Sequence, residues 1–190
     1  MRYEMRLAGS GGQGIIIAGI ILAEAGILEG YHVIQSQNYG PEARGGSSVS
    51  EVILSDAEID YPKTLGLDIL LVFNQKACDE NLHDMKPGGL VMADADLVDN
   101  IFWRNVVRVP LSRLSQRKYG EQKFANVLAV GALVPFCSWF SAHSIRKAIA
   151  RRMPQGTIRS NLAAFREGIK LGNDLKKNMK LQEIEGPAEV

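Results

Sequence analysis

The fold can be inferred from one short segment of the chain, Gly9-Ser10-Gly11-Gly12-Gln13-Gly14. An apolar run over residues 3–8 precedes it and an uncharged run over residues 15–23 follows it, which predicts a strand, a glycine turn and a buried helix. Such glycines let the chain turn tightly, present backbone N–H groups to an anion and pack the helix closely on its strand. The stretch therefore predicts an anion or interface loop, although close helix packing alone needs the same small residues.

The surrounding residues argue against two common nucleotide sites. A dinucleotide-binding fold carries an acidic residue at the end of its second strand, whereas the predicted strand over residues 31–35 ends in Gln35 and Ser36. A P-loop needs Lys and then Ser or Thr after its last glycine, and two isoleucines follow Gly14. A stand-alone, nucleotide-dependent oxidoreductase on a Rossmann-like sheet stays open as the alternative function.

Length and composition predict one globular domain. The chain has 190 residues, of which 46% are hydrophobic and 23% charged, and we expect a single domain over residues 1–180 with a frayed tail over residues 181–190. The uncharged apolar run over residues 15–23 is far shorter than the roughly 20 residues that cross a bilayer. We therefore expect a cytoplasmic protein without membrane contact.

The cysteines and histidines do not form a metal motif. Cys78 and Cys137 are 59 positions apart and neither has a Cys-x-x-Cys neighbour, so we expect buried thiols and no iron–sulfur cluster in this chain. The three histidines are equally scattered. The sequence thus predicts that this chain holds no metal.

Charge is distributed unevenly along the chain. Residues 1–100 carry 6 basic and 15 acidic side chains, whereas residues 143–180 carry 10 basic and 2 acidic ones. A basic segment of this kind can bind RNA. We favour solvated outer faces of amphipathic helices and no nucleic acid, because stacking aromatic residues are not interleaved with the charges.

The order of the predicted elements is typical of an α/β fold. We expect an open, mostly parallel Rossmann-like sheet flanked by helices, with a helical C-terminal part. Residues 56–64 should turn or form a short hairpin, and residues 86–89 should turn. The predicted strands cover residues 3–8, 31–35, 47–54, 69–73, 90–93 and 106–109, and the helices cover residues 15–23, 75–83, 112–119, 124–136, 141–152 and 158–178.

Ligands of such sheets bind beyond the carboxyl ends of the strands. In this chain those ends are the Gly9 loop and residues 35–36, 74–75 and 94–96. Asp94 and Asp96 could act as an acid–base pair. We favour turn or helix-cap roles for them, which acids after a strand more often have.

A second loop reads Tyr39-Gly40-Pro41-Glu42-Ala43-Arg44-Gly45-Gly46. Its glycines and proline fix two bends, which should hold Tyr39, Glu42 and Arg44 on a defined projection. The Arg44 guanidinium could bind a carboxylate or phosphate brought to the first loop, or it could pair with Glu42 or another acid.

Together the two loops resemble the gamma subunit of the 2-oxoacid:ferredoxin oxidoreductases. The similarity also includes the strand over residues 69–74, the turn over residues 86–89, Asn126 and the Gly131-Ala132 step, and it covers roughly residues 2–164. The resemblance implies a subunit of a complex that decarboxylates a 2-oxoacid on thiamine diphosphate, transfers electrons through iron–sulfur clusters to ferredoxin and forms an acyl-CoA.

The resemblance also implies how the work is divided between chains. Thiamine diphosphate, Mg²⁺, the iron–sulfur clusters and CoA are expected in the complex, and no cofactor is expected in this chain. Its partners would be alpha and beta subunits, in some forms a delta subunit, and ferredoxin through the complex. The isolated chain should be inactive and could form a homodimer. Pyruvate and branched-chain 2-oxoacids stay open as substrates, and a general likeness favours 2-oxoglutarate.

Overall fold

The computed structural model describes residues 1–40 and 45–185, with side chains described as far as Met179. None of the helices in these ranges combines the length and apolar character that crossing a bilayer requires. The described strands are β1 (Arg2–Ser10), β2 (His32–Tyr39), β3 (Ser47–Ser55), β4 (Leu67–Val72), β5 (Met85–Asp94) and β6 (Val106–Val109). The described α-helices are α1 (Ile15–Leu28), α2 (Gln75–Asn81), α3 (Leu111–Tyr119), α4 (Ala125–Leu133), α5 (Ala142–Arg152) and α6 (Ile158–Glu185).

The strands form one sheet in the order β2-β3-β1-β4-β5-β6. β1, β4, β5 and β6 pair in parallel, whereas β3 runs antiparallel to both of its neighbours, β1 and β2. Only a short connection joins β2 to β3, and a connection of that length suits an antiparallel pair. The expected α/β architecture, an open and mostly parallel sheet flanked by helices, is confirmed.

The sheet has an apolar core on each face. The larger core lies where α1, α4, α5 and α6 pack, and it includes Met5, Leu7 and Phe165. The smaller core lies under α2 and includes Ala8 and Cys78. Successive residues of a strand point to opposite faces, so β1 supplies both cores and is buried at the centre of the sheet.

Glycines let α4 and α6 approach each other closely. An ideal Cβ at Gly168 would lie 2.2 Å from the carbonyl oxygen of Leu128, and one at Gly131 would lie 2.3 Å from that of Phe165. Any side chain at either position would push the helices apart. The predicted helical C-terminal part is confirmed, and its packing depends on the absence of Cβ atoms at this crossing.

Several predicted boundaries are wrong, notably those of β2 and of the turn over residues 86–89. β2 continues past Gln35 to Tyr39 because it pairs with β3 along its whole length, so Gln35 and Ser36 lie inside a strand and not at its end. The predicted turn over residues 86–89 is a bulge within β5, because Leu67 pairs with Met85 but Ile69 already pairs with Leu90. The intervening residues loop out of the ladder, and Gly88 takes a positive φ of 83° there.

Two other segments complete the chain. Residues 56–64 turn back as predicted, and Arg2 Nη2 donates to the carbonyl oxygens of Tyr61 (3.1 Å) and Lys63 (2.7 Å). At the other end, α6 continues to Glu185, within the tail predicted for residues 181–190. Residues 186–190 lie outside the described residues, and the single-domain boundary at residue 180 stays a prediction.

Candidate functional site

The two glycine loops meet at one edge of the sheet. β1, β2 and β4 end at this edge and β3 begins there, since β3 runs the other way. The backbone N–H of Gly11 donates to the carbonyl oxygen of Gly46 at 2.8 Å, which joins the first loop directly to the second. Tertiary structure thus brings together two stretches that lie more than 30 residues apart in the sequence.

The Gln13 side chain locks the first loop. Its Oε1 accepts from the backbone N–H of Ser10 at 2.6 Å, and its Nε2 donates to the carbonyl oxygen of Phe73 at 3.2 Å. Gly9 leaves room for this arrangement, because a Cβ there would lie 2.5 Å from Gln13 Oε1. Gly9 and Ser10 therefore belong to β1, and the glycine at position 9 serves side-chain packing, not the predicted tight turn.

The turn itself is made by Gly12 and Gly14. Both have positive φ, 93° and 72°, a conformation that L side chains rarely adopt. Gly14 is the N-cap of α1 and no side chain caps this helix, while Asn126 Nδ2 donates to the Gly14 carbonyl oxygen at 3.1 Å. Among the described contacts, the backbone N–H groups of Gly12 and Gly14 donate no hydrogen bond. These N–H groups, with the positive end of the α1 dipole, favour an anion.

The second loop is the tip of the β2–β3 hairpin. Tyr39 ends β2 with 61% of its surface exposed, and the Gly40 N–H donates to the Ser47 carbonyl oxygen at 2.7 Å. Gly45 has a positive φ of 70°, which is the predicted bend. The other predicted interface residues of this loop, Pro41, Glu42 and Arg44, lie outside the described residues.

A small pocket opens between the two loops and α2. It encloses about 240 Å³ and is lined by Gly9, Ser10, Gly45, Gly46, Ser47, Asn74, Lys76, Ala77 and Glu80. Asn74 ties the pocket together, because its Nδ2 donates to Ser10 Oγ at 2.9 Å and its Oδ1 accepts from the Ala77 N–H at 2.7 Å. The predicted meeting of the Gly9 loop with Asn74 is confirmed.

Among the described residues that line the pocket, Lys76 alone carries a positive charge, and the sequence patterns did not identify it. Its Nζ lies 3.8 Å from Glu80 Oε1, and the Lys76 side chain is 67% exposed, so this ion pair is weak and open to competition from another anion. In the sequence, Lys76 is marked only by its position four residues after the end of the buried strand β4. The pocket thus combines the backbone of both glycine loops with one exposed ammonium group.

The other residues predicted for this edge have structural roles. Asp94 is fully buried and caps α3, accepting from the N–H groups of Leu111 (3.1 Å) and Ser112 (3.1 Å) and from the Ser112 hydroxyl. Burial raises the pKa of Asp94, although the Ser112 hydrogen bonds oppose the shift. Asp96 accepts from the Arg113 N–H at 2.8 Å. The favoured helix-cap roles are confirmed, and these acids do not face the pocket as an acid–base pair.

The cysteines do not fit an iron–sulfur cluster. Cys137 belongs to the larger core and Cys78 to the smaller one, on opposite faces of the sheet. Burial raises the pKa of Cys137 to about 12 and also raises that of Cys78, which keeps both thiols protonated. Within residues 1–40 and 45–179, no group of three or more potential ligands could hold a metal ion.

Comparison with known proteins assigns this architecture to a family. The family model described as pyruvate ferredoxin/flavodoxin oxidoreductase matches residues 4–171. The chain is 42% identical over 180 residues to the 2-oxoglutarate synthase subunit KorC of Methanocaldococcus jannaschii, covering 92% of this chain and 96% of that protein.

Solved structures agree with this assignment. The gamma subunit of keto/oxoacid ferredoxin oxidoreductase from Geobacter sulfurreducens superposes with a TM-score of 0.83 at 38% identity, covering 92% of this chain and 98% of that one. A 2-oxoglutarate:ferredoxin oxidoreductase from Magnetococcus marinus, solved with 2-oxoglutarate, coenzyme A and succinyl-CoA bound, shares the fold at a TM-score of 0.81 and 24% identity. It matches 92% of this chain but only 31% of the longer chain there. The chain belongs to the pyruvate ferredoxin/flavodoxin oxidoreductase family.

Proposed function

We propose that this chain is the gamma subunit of a 2-oxoacid:ferredoxin oxidoreductase whose substrate is 2-oxoglutarate. The observation that carries the proposal is the near full-length match, at 42% identity, to a subunit of 2-oxoglutarate synthase. The complex would convert 2-oxoglutarate and CoA to succinyl-CoA and CO₂ while it reduces ferredoxin. The chain itself would supply structure and a binding surface, in line with the predicted inactivity of the isolated subunit.

The redox and decarboxylation chemistry belongs to other chains of the complex under this proposal. The two buried thiols lie in separate cores, and an iron–sulfur cluster needs four thiolates at one point. Thiamine diphosphate, Mg²⁺ and the clusters would therefore be held by the alpha and beta subunits, with a delta subunit in some forms. The cytoplasmic location and a homodimer of the isolated chain stay predictions.

We assign the pocket between the glycine loops to an anionic group of CoA or of a catalytic subunit. Both glycine loops line the pocket, and Lys76 adds a positive charge at its wall. Gly12 and Gly14 do not line the pocket, but they belong to the first loop, and their backbone N–H groups donate no hydrogen bond among the described contacts. Arg44 precedes Gly45 in the sequence and lies three residues before Ser47, where β3 begins. Its guanidinium group would donate two hydrogen bonds to the same anion. These groups would bind and orient the anion and take no part in bond breaking.

Kinetics of the reconstituted complex test this assignment. We expect Lys76→Gln and Arg44→Ala each to raise the KM for CoA about tenfold, the effect of losing roughly 1.4 kcal/mol of binding, with kcat unchanged. Lys147→Gln is the matched control, since Lys147 is an exposed lysine of α5 and does not line the pocket. Loss of assembly would assign the loops to the subunit interface instead. Normal assembly, kcat and KM in both variants would reject the site.

Two separate experiments test which substrate the complex uses and whether the chain is a subunit or a stand-alone enzyme. The purified complex should oxidise 2-oxoglutarate with a higher kcat/KM than pyruvate or 2-oxoisovalerate, and the opposite order would refute the substrate. The isolated chain should bind neither NAD(P) nor ATP. Binding of either at micromolar concentration would favour the alternative, a stand-alone nucleotide-dependent oxidoreductase, over a subunit of this complex.

A further inference from the structure

A second concave surface lies between the first turns of α5 and the amino-terminal half of α6. This groove encloses about 820 Å³. Its floor is formed by residues spaced three or four apart on α6, namely Ile158, Leu162, Phe165 and Ile169. Phe165 is buried, but the other three remain partly exposed. The groove is therefore a strip of apolar surface about three helical turns long.

The packing of α6 explains why this strip is open. Gly168 and Gly172 of α6 are buried against α4, where an ideal Cβ would lie 2.2 Å from the Leu128 carbonyl oxygen and 2.3 Å from that of Ala132. Because glycines make this contact with α4, the larger aliphatic side chains lie to one side of it. A helix that packed on the core through its large residues would bury this strip. Here the strip faces outward between two helices.

The rim of the groove is basic. Arg146 of α5 and Arg159 and Arg166 of α6 line it, all three are exposed, and the lining includes no acidic residue. Within the described side chains none of these arginines forms an ion pair, and Arg146 contacts only the His143 ring nitrogen, at 3.3 Å. By contrast, Arg151 and Arg152 of α5 both pair with Glu24. The rim thus leaves three positive charges uncompensated beside an apolar floor.

We propose that this groove binds an acidic amphipathic helix of a catalytic subunit in the same complex. The inference rests on the proposed function. Floor residues at positions i, i+4, i+7 and i+11 extend over roughly 16 Å, since a helix rises 1.5 Å per residue, and this length suits about three turns of a partner helix. Apolar side chains of the partner would enter the groove, and its Asp and Glu side chains would meet the arginines.

The same features disfavour other occupants. A second copy of this chain related by a two-fold axis would place the arginine rim against itself, so like charges would oppose association. Single-stranded nucleic acid is bound by stacking on exposed aromatic rings, whereas the exposed part of this floor is aliphatic. A lipid surface needs apolar side chains that project, and these lie at the bottom of a groove.

Charge reversal on two matched pairs of sites tests the proposal. The test variant is Arg146→Glu/Arg166→Glu, and the control is Lys147→Glu/Lys170→Glu, which changes the net charge equally on the same two helices. Lys147 and Lys170 are exposed and do not line the groove. Each full-length variant would be titrated against the purified remaining subunits at two salt concentrations. We expect the test variant to raise the dissociation constant at least tenfold at low salt, and the control to change it less than threefold.

A crosslinking experiment identifies the occupant. A photoreactive phenylalanine analogue in place of Leu162 should capture, within the assembled complex, a peptide of another subunit that carries several Asp or Glu residues. Equal assembly of both variants, or capture of a second copy of this chain, RNA or a neutral peptide, would overturn the inference. Failure of the unmodified chain to assemble with oxidoreductase subunits would refute the proposed function itself, which keeps the two failures distinct.

Discussion

Replacing Gly14 with alanine tests the geometry that forms the first loop. Gly14 has a φ of 72°, and a Cβ there would lie 2.3 Å from Asn126 Nδ2. The left-handed conformation costs an alanine about 1–2 kcal/mol. Overpacking against the buried Asn126 amide adds about 1–3 kcal/mol. We therefore expect Gly14→Ala to lower the free energy of unfolding by about 2–5 kcal/mol.

A double-mutant cycle separates these two costs. Asn126→Ala removes the hydrogen bond to the Gly14 carbonyl oxygen, which costs about 1 kcal/mol, but it also removes the atom that a Cβ at position 14 would strike. In that background Gly14→Ala should cost only the conformational strain, about 1–2 kcal/mol. The double variant should therefore lose about 1–3 kcal/mol less stability than the sum of the losses in the two single variants.

Urea unfolding of the four proteins, followed by circular dichroism and by the fluorescence of the two tryptophans, measures the cycle. The m-values should agree within error, so that midpoints report stability. Equal costs of Gly14→Ala in the two backgrounds would refute the close approach of Asn126 to the turn. An unchanged midpoint for Gly14→Ala alone would also refute the positive φ.

Three further predictions concern other parts of the molecule. Gly168→Ala should lower the free energy of unfolding by about 3 kcal/mol because it forces α4 and α6 apart, whereas Gly156→Ala, with open space around it, should stay within about 0.5 kcal/mol in the same urea assay. Burial acts to raise the pKa of Glu4, but hydrogen bonds from backbone N–H groups and from Arg2 outweigh it and hold the pKa below the ordinary value of a glutamate. Stability should therefore fall as the pH drops through that lowered pKa, and Glu4→Gln should flatten this part of the pH profile if the carboxylate is the cause. Because burial raises the pKa of both thiols, Cys78 and Cys137 should not react with a thiol reagent at pH 8 in the native protein and should both react in guanidinium, and native reactivity would contradict their burial.

The order of strands and helices was predictable because it depends on local patterns. Continuous apolar runs marked the buried strands, and β4 with its neighbours lies where such a run predicts it. The direction of β3 was not predictable, because alternation along a strand is the same whichever way the strand runs. The end of β2 was missed for a related reason: the polar residues after Gln35 pair with β3 at the edge of the sheet, where one side of a strand can be solvated.

The candidate site was predictable in its backbone and not in its side chains. Gly12, Gly14 and Gly45 have positive φ, and the glycines themselves indicate this in the sequence, because other residues rarely adopt that conformation. Lys76 looks like any exposed lysine until α2 brings it to the pocket, and the role of Gly9 depends on the folded position of the Gln13 side chain.

The α/β fold class, the glycine turn before α1 and the second glycine-bounded loop could all be inferred from the sequence, and they indicated the family. It could do so because each is a local property, set by periodicity or by backbone conformations that only glycine adopts readily. Three features became visible only in the folded chain: the hydrogen bond from Gly11 to Gly46, the buried cap formed by Asp94, and the groove between α5 and α6 with its aliphatic floor and arginine rim. These are contacts between distant residues, and they depend on strand order and helix separation, which no local pattern in the chain encodes.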